Sequence, residues 1–307
     1  MEQIYDMVIV GGGPGGYTAA LYGARAGLRV LVLERMAAGG QIAMTHQVDN
    51  YPGFVNGIDG FTLAENMQKQ AHRFGAKTKY AEVQKLELDG TIKRIHTDSG
   101  LFLGRTVTIS TGASPRYLGL PGEQELTGLG LHYCAACDGM FYRGKTVVVV
   151  GGGNSAVADA LVLSRIAKNV ILVHRRDRLR ATKVYHESLE KAENVEFVWN
   201  STVSQLIHDG RVTGIGVQNV LTGEQQEIPC DGVFVSVGRQ PASKLVAGQL
   251  ALDESGYIIA GEDTATSIAG VYAVGDVRTK QVRQVVTAVA DGAVAAHKAE
   301  AYLASFV

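Results

Sequence analysis

Two cysteines, Cys134 and Cys137, stand two residues apart and are followed by Asp138 in the stretch CAACD. Thiols at this spacing can exchange a disulfide, because one thiolate attacks while its neighbour resolves the mixed disulfide. A zinc site commonly needs a second such pair, and the sequence has only one further cysteine, Cys230. A structural crosslink over so short a loop would restrict the unfolded chain little. The pair is therefore predicted to be a redox centre, and no metal site is expected.

Two further residues of reactive type are predicted to play no part in chemistry. Cys230, in EIPCDGVFV, follows the pattern of a buried or half-buried strand residue. His132 lies two residues before the cysteine pair. It could tune a nearby thiol, but the favoured interpretation is a packing role.

A glycine-rich turn follows the first apolar run, YDMVIV. Gly11, Gly13 and Gly16 fit G-x-G-x-x-G, and a helical segment and a second apolar run ending at Glu34 come next. The glycines allow a tight turn and close approach to a pyrophosphate, which the helix N-terminus stabilises. The terminal acid can accept hydrogen bonds from ribose hydroxyls. This order predicts a dinucleotide site.

The same sequence pattern recurs about 140 residues later in the chain, with basic residues in place of the acid. Gly151, Gly153 and Ala156 repeat the glycine pattern, and His174 takes the position of the acid. Three arginines follow in HRRDRLR: Arg175, Arg176 and Arg180. Guanidinium groups bind a 2′-phosphate where a carboxylate would repel it. The second site is therefore predicted to take NADP(H) and the first FAD.

Composition excludes several classes of protein. The chain has 307 residues, a formal net charge of −1 and three cysteines. The near-neutral net charge gives no indication of a nucleic-acid partner or an anionic membrane surface. No apolar run is long enough for a membrane-spanning helix. The start of the sequence carries no basic leader pattern, so we expect a cytoplasmic protein.

Nearly the whole chain resembles the low-molecular-weight thioredoxin reductases of the pyridine nucleotide–disulfide oxidoreductases. The likeness is carried by GGQ, DNYPGF, TVTISTGASPRYLGLPGE, CDGVFVSVGRQP and TSIAGVYAVGD. It implies an α/β fold of two Rossmann-like, three-layer ββα domains. Residues 1–112 and 244–307 are expected to bind FAD, and the inserted residues 113–243 to bind NADPH and carry the CxxC. It also implies a homodimer.

The resemblance assigns roles to individual residues. Cys137 would be the thiol next to the flavin, Cys134 the thiol that attacks the partner, and Asp138 the proton donor and acceptor; a cap on the following turn is the alternative for Asp138. The expected FAD contacts are Gly11, Gly13, Pro14, Gly16, Glu34, Gly40, Gln41, Asn50, Val83, Thr111, Gly112, Gly275, Asp276, Arg283, Gln284 and Val285. The expected NADPH contacts are Gly151, Gly153, Asn154, Ser155, His174, Arg175, Arg176, Arg180 and Arg239.

The predicted function is transfer of electrons from NADPH through FAD and the cysteine pair to thioredoxin or a thioredoxin-like protein. Met140 and Phe141 resemble the apolar tip with which the family docks that partner, and Leu129 stands where some members have an arginine. The alternatives are a flavin-dependent dithiol oxidase and a ferredoxin-linked relative, and the arginine-tipped site weighs against both. A flavin-binding redox sensor also stays open.

Overall fold

A computed structural model of the chain describes residues 3–45, 47–182, 189 and 191–306. Its strands are β1 Ile4–Val10, β2 Val30–Glu34, β3 Lys77–Tyr80, β4 Val83–Glu87, β5 Lys93–Thr97, β6 Gly100–Ile109, β7 Ala113–Pro115, β8 Leu131–His132, β9 Thr146–Val150, β10 Asn169–Val173, β11 Val195–Val198, β12 Ser201–His208, β13 Val212–Asn219, β14 Gln225–Pro229, β15 Gly232–Val235, β16 Arg239–Pro241 and β17 Val271–Ala273. Its α-helices are α1 Pro14–Arg25, α2 Gly60–Arg73, α3 Ala135–Asp138, α4 Asn154–Ser164 and α5 Val285–Ala304.

The chain divides into two compact units, Met1–Ser114 with Gln240–Val307 and Pro115–Arg239. The second is therefore inserted in the sequence of the first. The predicted assignment of FAD to 1–112 with 244–307, and of NADPH to 113–243, stays a prediction.

The first unit is built on a seven-stranded sheet in the order β3-β2-β1-β6-β5-β4, with β17 also paired to β6. β1, β2, β3, β6 and β17 run parallel, whereas β4, β5 and β6 pair in antiparallel fashion. Side chains of β1 alternate between two cores, Met7 and Ile9 on one face and Val8 and Val10 on the other. This sheet is therefore covered on both faces.

Helices α1 and α5 pack closely on one face of this sheet. A Cβ on Gly292 of α5 would lie 2.8 Å from the backbone nitrogen of Ala19 in α1. Ala295, Ala296 and Ala299 of α5 belong to the core that α1 shares. Small residues thus allow the last helix to complete the layer that the first helix begins.

The second unit repeats this plan on a smaller scale. Its five-stranded parallel sheet has the order β11-β10-β9-β15-β8, and β12, β13 and β14 form a separate antiparallel sheet. Val147 and Val149 of β9 face the core under α4, and Val148 and Val150 face the core under the antiparallel sheet. β7 and β16 form a two-stranded sheet where the chain passes from one unit to the other.

Candidate functional site

The two cysteines form a disulfide at the start of α3. Cys134 and Cys137 are bonded, with Cα atoms 5.3 Å apart. Cys134 occupies the N-cap of α3, and its carbonyl accepts hydrogen bonds of 3.2 and 3.1 Å from the N–H groups of Cys137 and Asp138. The helical turn therefore holds the two sulfurs and the acid in one compact segment.

Asp138 has a histidine partner that the sequence did not indicate. Nδ1 of His132 lies 3.0 Å from Oδ2 of Asp138, and Nε2 of His132 lies 2.7 Å from the hydroxyl of Tyr142. The imidazole is buried and stacks on Phe234 at a centroid distance of 5.2 Å. His132 does pack, as predicted, but both of its ring nitrogens also face polar atoms. No motif marks this pairing, because β8 brings His132 to the end of α3 only in the folded chain.

A second acid near the disulfide was also missed. Asp159 of α4 accepts hydrogen bonds from the hydroxyl of Ser236 and from the backbone N–H of Ala135, the first residue of α3. Burial raises the pKa of the Asp159 carboxyl, although these hydrogen bonds and the charge of Arg239 oppose the rise. Asp159 thus anchors the turn that carries the cysteines. Arg239 lies on β16 beside this acid.

Cys230 is free and buried between β14 and β15. Burial raises the pKa of its thiol to about 12, so the thiol stays protonated and unreactive near neutral pH. Among the described residues no group of three or more His, Cys, Asp or Glu side chains could hold a metal ion.

The first glycine turn has the geometry of a phosphate cradle. Gly11 has φ of +102°, and a Cβ on Gly16 would overlap the carbonyl of Gly11. Around Gly13, the N-cap of α1, a Cβ would meet nothing closer than the carbonyl of Gly39 at 4.0 Å. Pro14 begins the helix. This room above a helix N-terminus fits a pyrophosphate.

Glu34 closes that turn from the end of β2. Its Oε2 accepts a 2.7 Å hydrogen bond from the N–H of Gly12, and its Oε1 accepts bonds from the N–H groups of Arg35 and Met36. The half-buried carboxylate is therefore held beside the glycines, as a ribose-binding acid requires.

Other predicted FAD residues gather at the same edge of the sheet. Residues Val10, Ile109 and Ala273 are paired in register, so the turns that follow β1, β6 and β17 lie side by side. These turns contain Thr111, Gly112, Gly275 and Asp276. Gly15 of the first turn packs against Val274 and Gly275.

The remaining members of the FAD set lie on loops around this edge or at the start of α5. Asn50 donates a 3.1 Å hydrogen bond to Gln284, the N-cap of α5, whose first residue is Val285. Gln41 donates to the carbonyl of Ala113, and Gly40 begins a 3₁₀ turn. Val83 begins β4.

The guanidinium of Arg283 lies over the ring of Tyr257, 4.1 Å from its centroid. Its buried Nε has no hydrogen-bond partner among the described residues. A buried donor without a partner fits a ligand acceptor, as the FAD prediction requires.

A buried ionic cluster below the Gly275 turn was not foreseen. Asp291 of α5 accepts hydrogen bonds of 2.7 Å from Arg278 and 2.6 Å from Lys280. Burial acts to raise the pKa of Asp291, but the bonds to Arg278 and Lys280 outweigh it and the pKa lies below its ordinary value. The same carboxylate accepts a bond from the N–H of Gly275.

The second glycine turn is likewise open. Gly151 has φ of +148°, and a Cβ on Gly153 would meet no atom within 4 Å. Asn154 and Ser155 begin α4 and are exposed, and the Asn154 side chain accepts a 2.9 Å bond from the N–H of Thr182. The turn therefore leaves a space above the N-terminus of α4.

Positive charge collects at the end of β10. The ring of His174 lies against Gly152, where a Cβ would overlap it. Burial lowers the pKa of His174, and the charges of Arg176, Arg175 and Arg180 lower it further. The three arginines are exposed, and the N–H of Arg180 donates a 2.7 Å bond to Gly152. A neutral imidazole and exposed guanidinium groups thus lie beside the open turn.

The sequence model of the pyridine nucleotide-disulphide oxidoreductases matches residues 5–292. The chain belongs to this family. A thioredoxin reductase of Peptoclostridium acidaminophilum is 45% identical over 309 residues, which cover 99% of this chain and 98% of that protein. One of Treponema pallidum is 44% identical, over 99% of this chain and 98% of that protein.

Solved structures of family members have the same fold. The thioredoxin reductase of Streptococcus pyogenes aligns over 100% of both chains with a TM-score of 0.93 and 42% identity. The predicted family and the predicted α/β fold with two Rossmann-like units are confirmed. In the described part of the present chain, none of the helices is long and apolar enough to span a membrane.

Proposed function

We propose that this chain is an NADPH-dependent flavoprotein disulfide reductase that reduces thioredoxin or a thioredoxin-like protein. The observation that carries this proposal is the Cys134–Cys137 disulfide in a chain with two glycine turns. An acid lies beside the first turn, and arginines lie beside the second. The relatives that match over nearly the full chain carry the name thioredoxin reductase, which agrees with the predicted enzyme class.

The first unit would hold FAD. Backbone groups of the Gly11–Gly16 turn would face the pyrophosphate, and Glu34 would accept bonds from the adenosine ribose. Asp276, in the turn after β17, would bond the ribityl chain, as the family resemblance implies. When bound, FAD supplies two-electron chemistry that connects a nicotinamide with a disulfide.

The second unit would hold NADPH. Gly151, Gly153 and Ser155 would face the pyrophosphate at the start of α4, and Arg175, Arg176 and Arg180 would bind the 2′-phosphate. Guanidinium groups form charge-assisted bonds to phosphate oxygens, and no such contact is available to NADH. These exposed cations therefore support a preference for NADPH.

In the proposed cycle the cysteine pair accepts two electrons and becomes a dithiol. Cys134 then attacks the external disulfide, and Cys137 resolves the mixed disulfide. Asp138, at the end of the same turn, would exchange protons with the departing thiolate. The protein disulfide forms again as the external disulfide is reduced to two thiols.

Two exposed apolar residues follow the disulfide and would contact the protein partner. Met140 is 55% and Phe141 47% exposed. Leu129, at the position where some members have an arginine, is 51% exposed. A partner surface that is apolar rather than acidic at this point suits these side chains. The homodimer and the cytoplasmic location stay predictions.

Anaerobic titration of the purified protein tests the proposal. We expect a flavin absorption band that excess NADPH bleaches, because the flavin and the disulfide together accept four electrons, with a much weaker response to NADH. Cys137→Ser should leave bleaching intact and abolish reduction of thioredoxin. An absent band, or turnover retained in Cys137→Ser, contradicts the proposal. Dithiol-dependent oxygen uptake without bleaching by NADPH would instead favour the dithiol oxidase.

A further inference from the structure

The imidazole of His132 connects Asp138 with the buried side of the second unit. Its Nδ1 lies 3.0 Å from Oδ2 of Asp138 and its Nε2 lies 2.7 Å from the Tyr142 hydroxyl. His132 and Tyr142 are both buried, and each ring also packs on Phe234. Both nitrogens of the imidazole are therefore engaged in a site closed to bulk water.

The hydrogen bonds of this cluster can form one chain, in which each group donates to the next on the way to Asp138. The exposed Arg211 bonds the oxygen of Tyr142, so the Tyr142 hydroxyl is free to donate to Nε2 of His132. Nδ1 of His132 then carries the proton and donates to Asp138. Burial raises the pKa of Tyr142, which keeps this donor protonated. The chain of donors runs from a cation to the carboxylate beside the disulfide.

The backbone leaves space for this arrangement. A Cβ on Gly232 would overlap the ring of Tyr142 and would lie 2.9 Å from its Cδ1. Lys145 lies over the same ring, 5.5 Å from its centroid. The Tyr142 ring thus lies between Gly232 and Lys145, and its hydroxyl is held within hydrogen-bond distance of His132.

We propose that His132 is a positioning residue for disulfide exchange. Its Nδ1–H holds the Asp138 carboxylate in the orientation from which that carboxylate takes a thiol proton. The proposal rests on the proposed function, because it concerns the dithiol of that cycle. As the pair reduces an external disulfide, the Cys134–Cys137 bond forms and the external S–S bond breaks. Two electrons pass to the external sulfurs, which leave as thiolates. Asp138 takes one of the two thiol protons, the other passes to water, and the thiolates take up protons from the solvent according to their own pKa values.

Two amide substitutions separate positioning from packing. The amide nitrogen of Asn reaches the place of Nδ1, whereas that of Gln reaches the place of Nε2. His132→Asn therefore keeps a donor for Asp138 and loses the contact with Tyr142, and His132→Gln does the reverse. A residue that serves packing alone would tolerate Asn less well than Gln, because the shorter side chain leaves a larger cavity at this buried position.

The test is a single turnover of the holoprotein after chemical reduction. Each variant is reduced with dithiothreitol, freed of excess reagent and mixed with the chromogenic disulfide dithiobis(nitrobenzoate). We expect His132→Gln to be slower by about tenfold and His132→Asn to stay within about threefold of the natural protein, since a misplaced proton acceptor loses part of the rate that acid–base catalysis supplies. His208→Gln, at an exposed histidine of β12, is the matched control and should leave the rate unchanged.

A double-mutant cycle with Asp138→Asn shows whether His132 acts through the acid. In the Asp138→Asn background His132→Gln should cost no further rate, because nothing is left to position. Equal losses in both backgrounds, equal rates of His132→Asn and His132→Gln, or a full rate in Asp138→Asn overturn the proposal. Tyr142→Phe is a second probe: it should slow the natural background severalfold and leave the Asp138→Asn background unaffected.

The assay distinguishes this inference from the proposed function. It uses a chemical reductant, so it reads the coupling of His132 and Asp138 even if NADPH fails to bleach a flavin. Conversely, bleaching by NADPH with additive effects of the two substitutions would leave the reductase intact and remove His132 from proton handling.

Discussion

The carboxylate of Asp291 accepts a 2.8 Å hydrogen bond from the backbone N–H of Gly275. Asp291 belongs to α5, and Gly275 belongs to the turn that carries Asp276. The same carboxylate binds the guanidinium of Arg278 and the ammonium of Lys280. One buried acid thus connects the last helix, two cations and a turn of the predicted FAD site.

Asp291→Asn should destabilise the first unit. The change leaves two buried cations without a counter-charge, which costs about 3–5 kcal/mol. Denaturant unfolding at neutral pH measures the loss. Glu65→Gln, which breaks an exposed ion pair with Lys69, is the control and should change the free energy of unfolding by less than about 1 kcal/mol. An equal effect of the two substitutions contradicts a role for the cluster.

The same acid should make stability sensitive to low pH. The pKa of Asp291 is lowered in the folded protein, so its contribution is complete above the ordinary value of 3.8. It is lost as the pH falls below that value toward the folded pKa, because the folded state then has to take up a proton that the unfolded state already holds. Melting temperatures of the natural protein should fall over this window more steeply than those of Asp291→Asn. Parallel curves would show that Asp291 is not the group that titrates.

Replacing Arg175 and Arg176 together with Ala should weaken use of NADPH far more than use of NADH. Each lost bond to a charged phosphate is worth about 1.5–3 kcal/mol, so kcat/KM for NADPH should fall by at least about tenfold. Steady-state kinetics with both coenzymes measures the difference. Arg165→Ala, at the exposed far end of α4, should affect neither. Equal losses for the two coenzymes would remove the 2′-phosphate from the assignment.

Gly153→Ala should weaken NADPH binding without lowering the stability of the fold. Gly153 has an ordinary φ of −92° and a Cβ there would meet no atom of the protein within 4 Å, so the melting temperature should hardly change. The methyl group would nevertheless occupy the space above the N-terminus of α4, and we expect NADPH affinity to fall by about tenfold or more. Gly16→Ala, whose methyl group would overlap the carbonyl of Gly11, should lower the melting temperature instead. Unchanged NADPH binding in Gly153→Ala would place the phosphates elsewhere.

Alkylation should distinguish the three cysteines. With its pKa raised to about 12, the Cys230 thiol carries almost no thiolate at neutral pH. The native protein should take up no iodoacetamide before reduction, two equivalents at Cys134 and Cys137 after reduction, and a third only when it is unfolded. Mass spectrometry of tryptic peptides gives the count, and alkylation of Cys230 in the native protein would contradict its burial.

The sequence could predict those parts of the site whose residues lie close together in the chain. Gly11, Gly16 and Glu34 belong to one strand–turn–helix–strand segment, and the spacing alone predicts their meeting. The partners of His132 and Asp159 depend on how α3 packs against β8 and α4, and no local pattern records that packing. Arg278 and Asp291 look in sequence like a surface cation and a helix acid. Only the folded chain brings α5, the Gly275 turn and the carbonyl of Ala260 together around them.

The packing of α5 against α1 also bears on the order in which the chain can fold during synthesis. Domains generally form as they leave the ribosome, from the N-terminus onward. All segments of the inserted unit, Pro115–Arg239, emerge before α5 is translated, whereas the first unit lacks part of one covering layer until Val285–Ala304 has been made. The part of the protein that starts the sequence is therefore the part that matures last, and a nascent chain halted before α5 would contain a complete inserted unit beside an unfinished one.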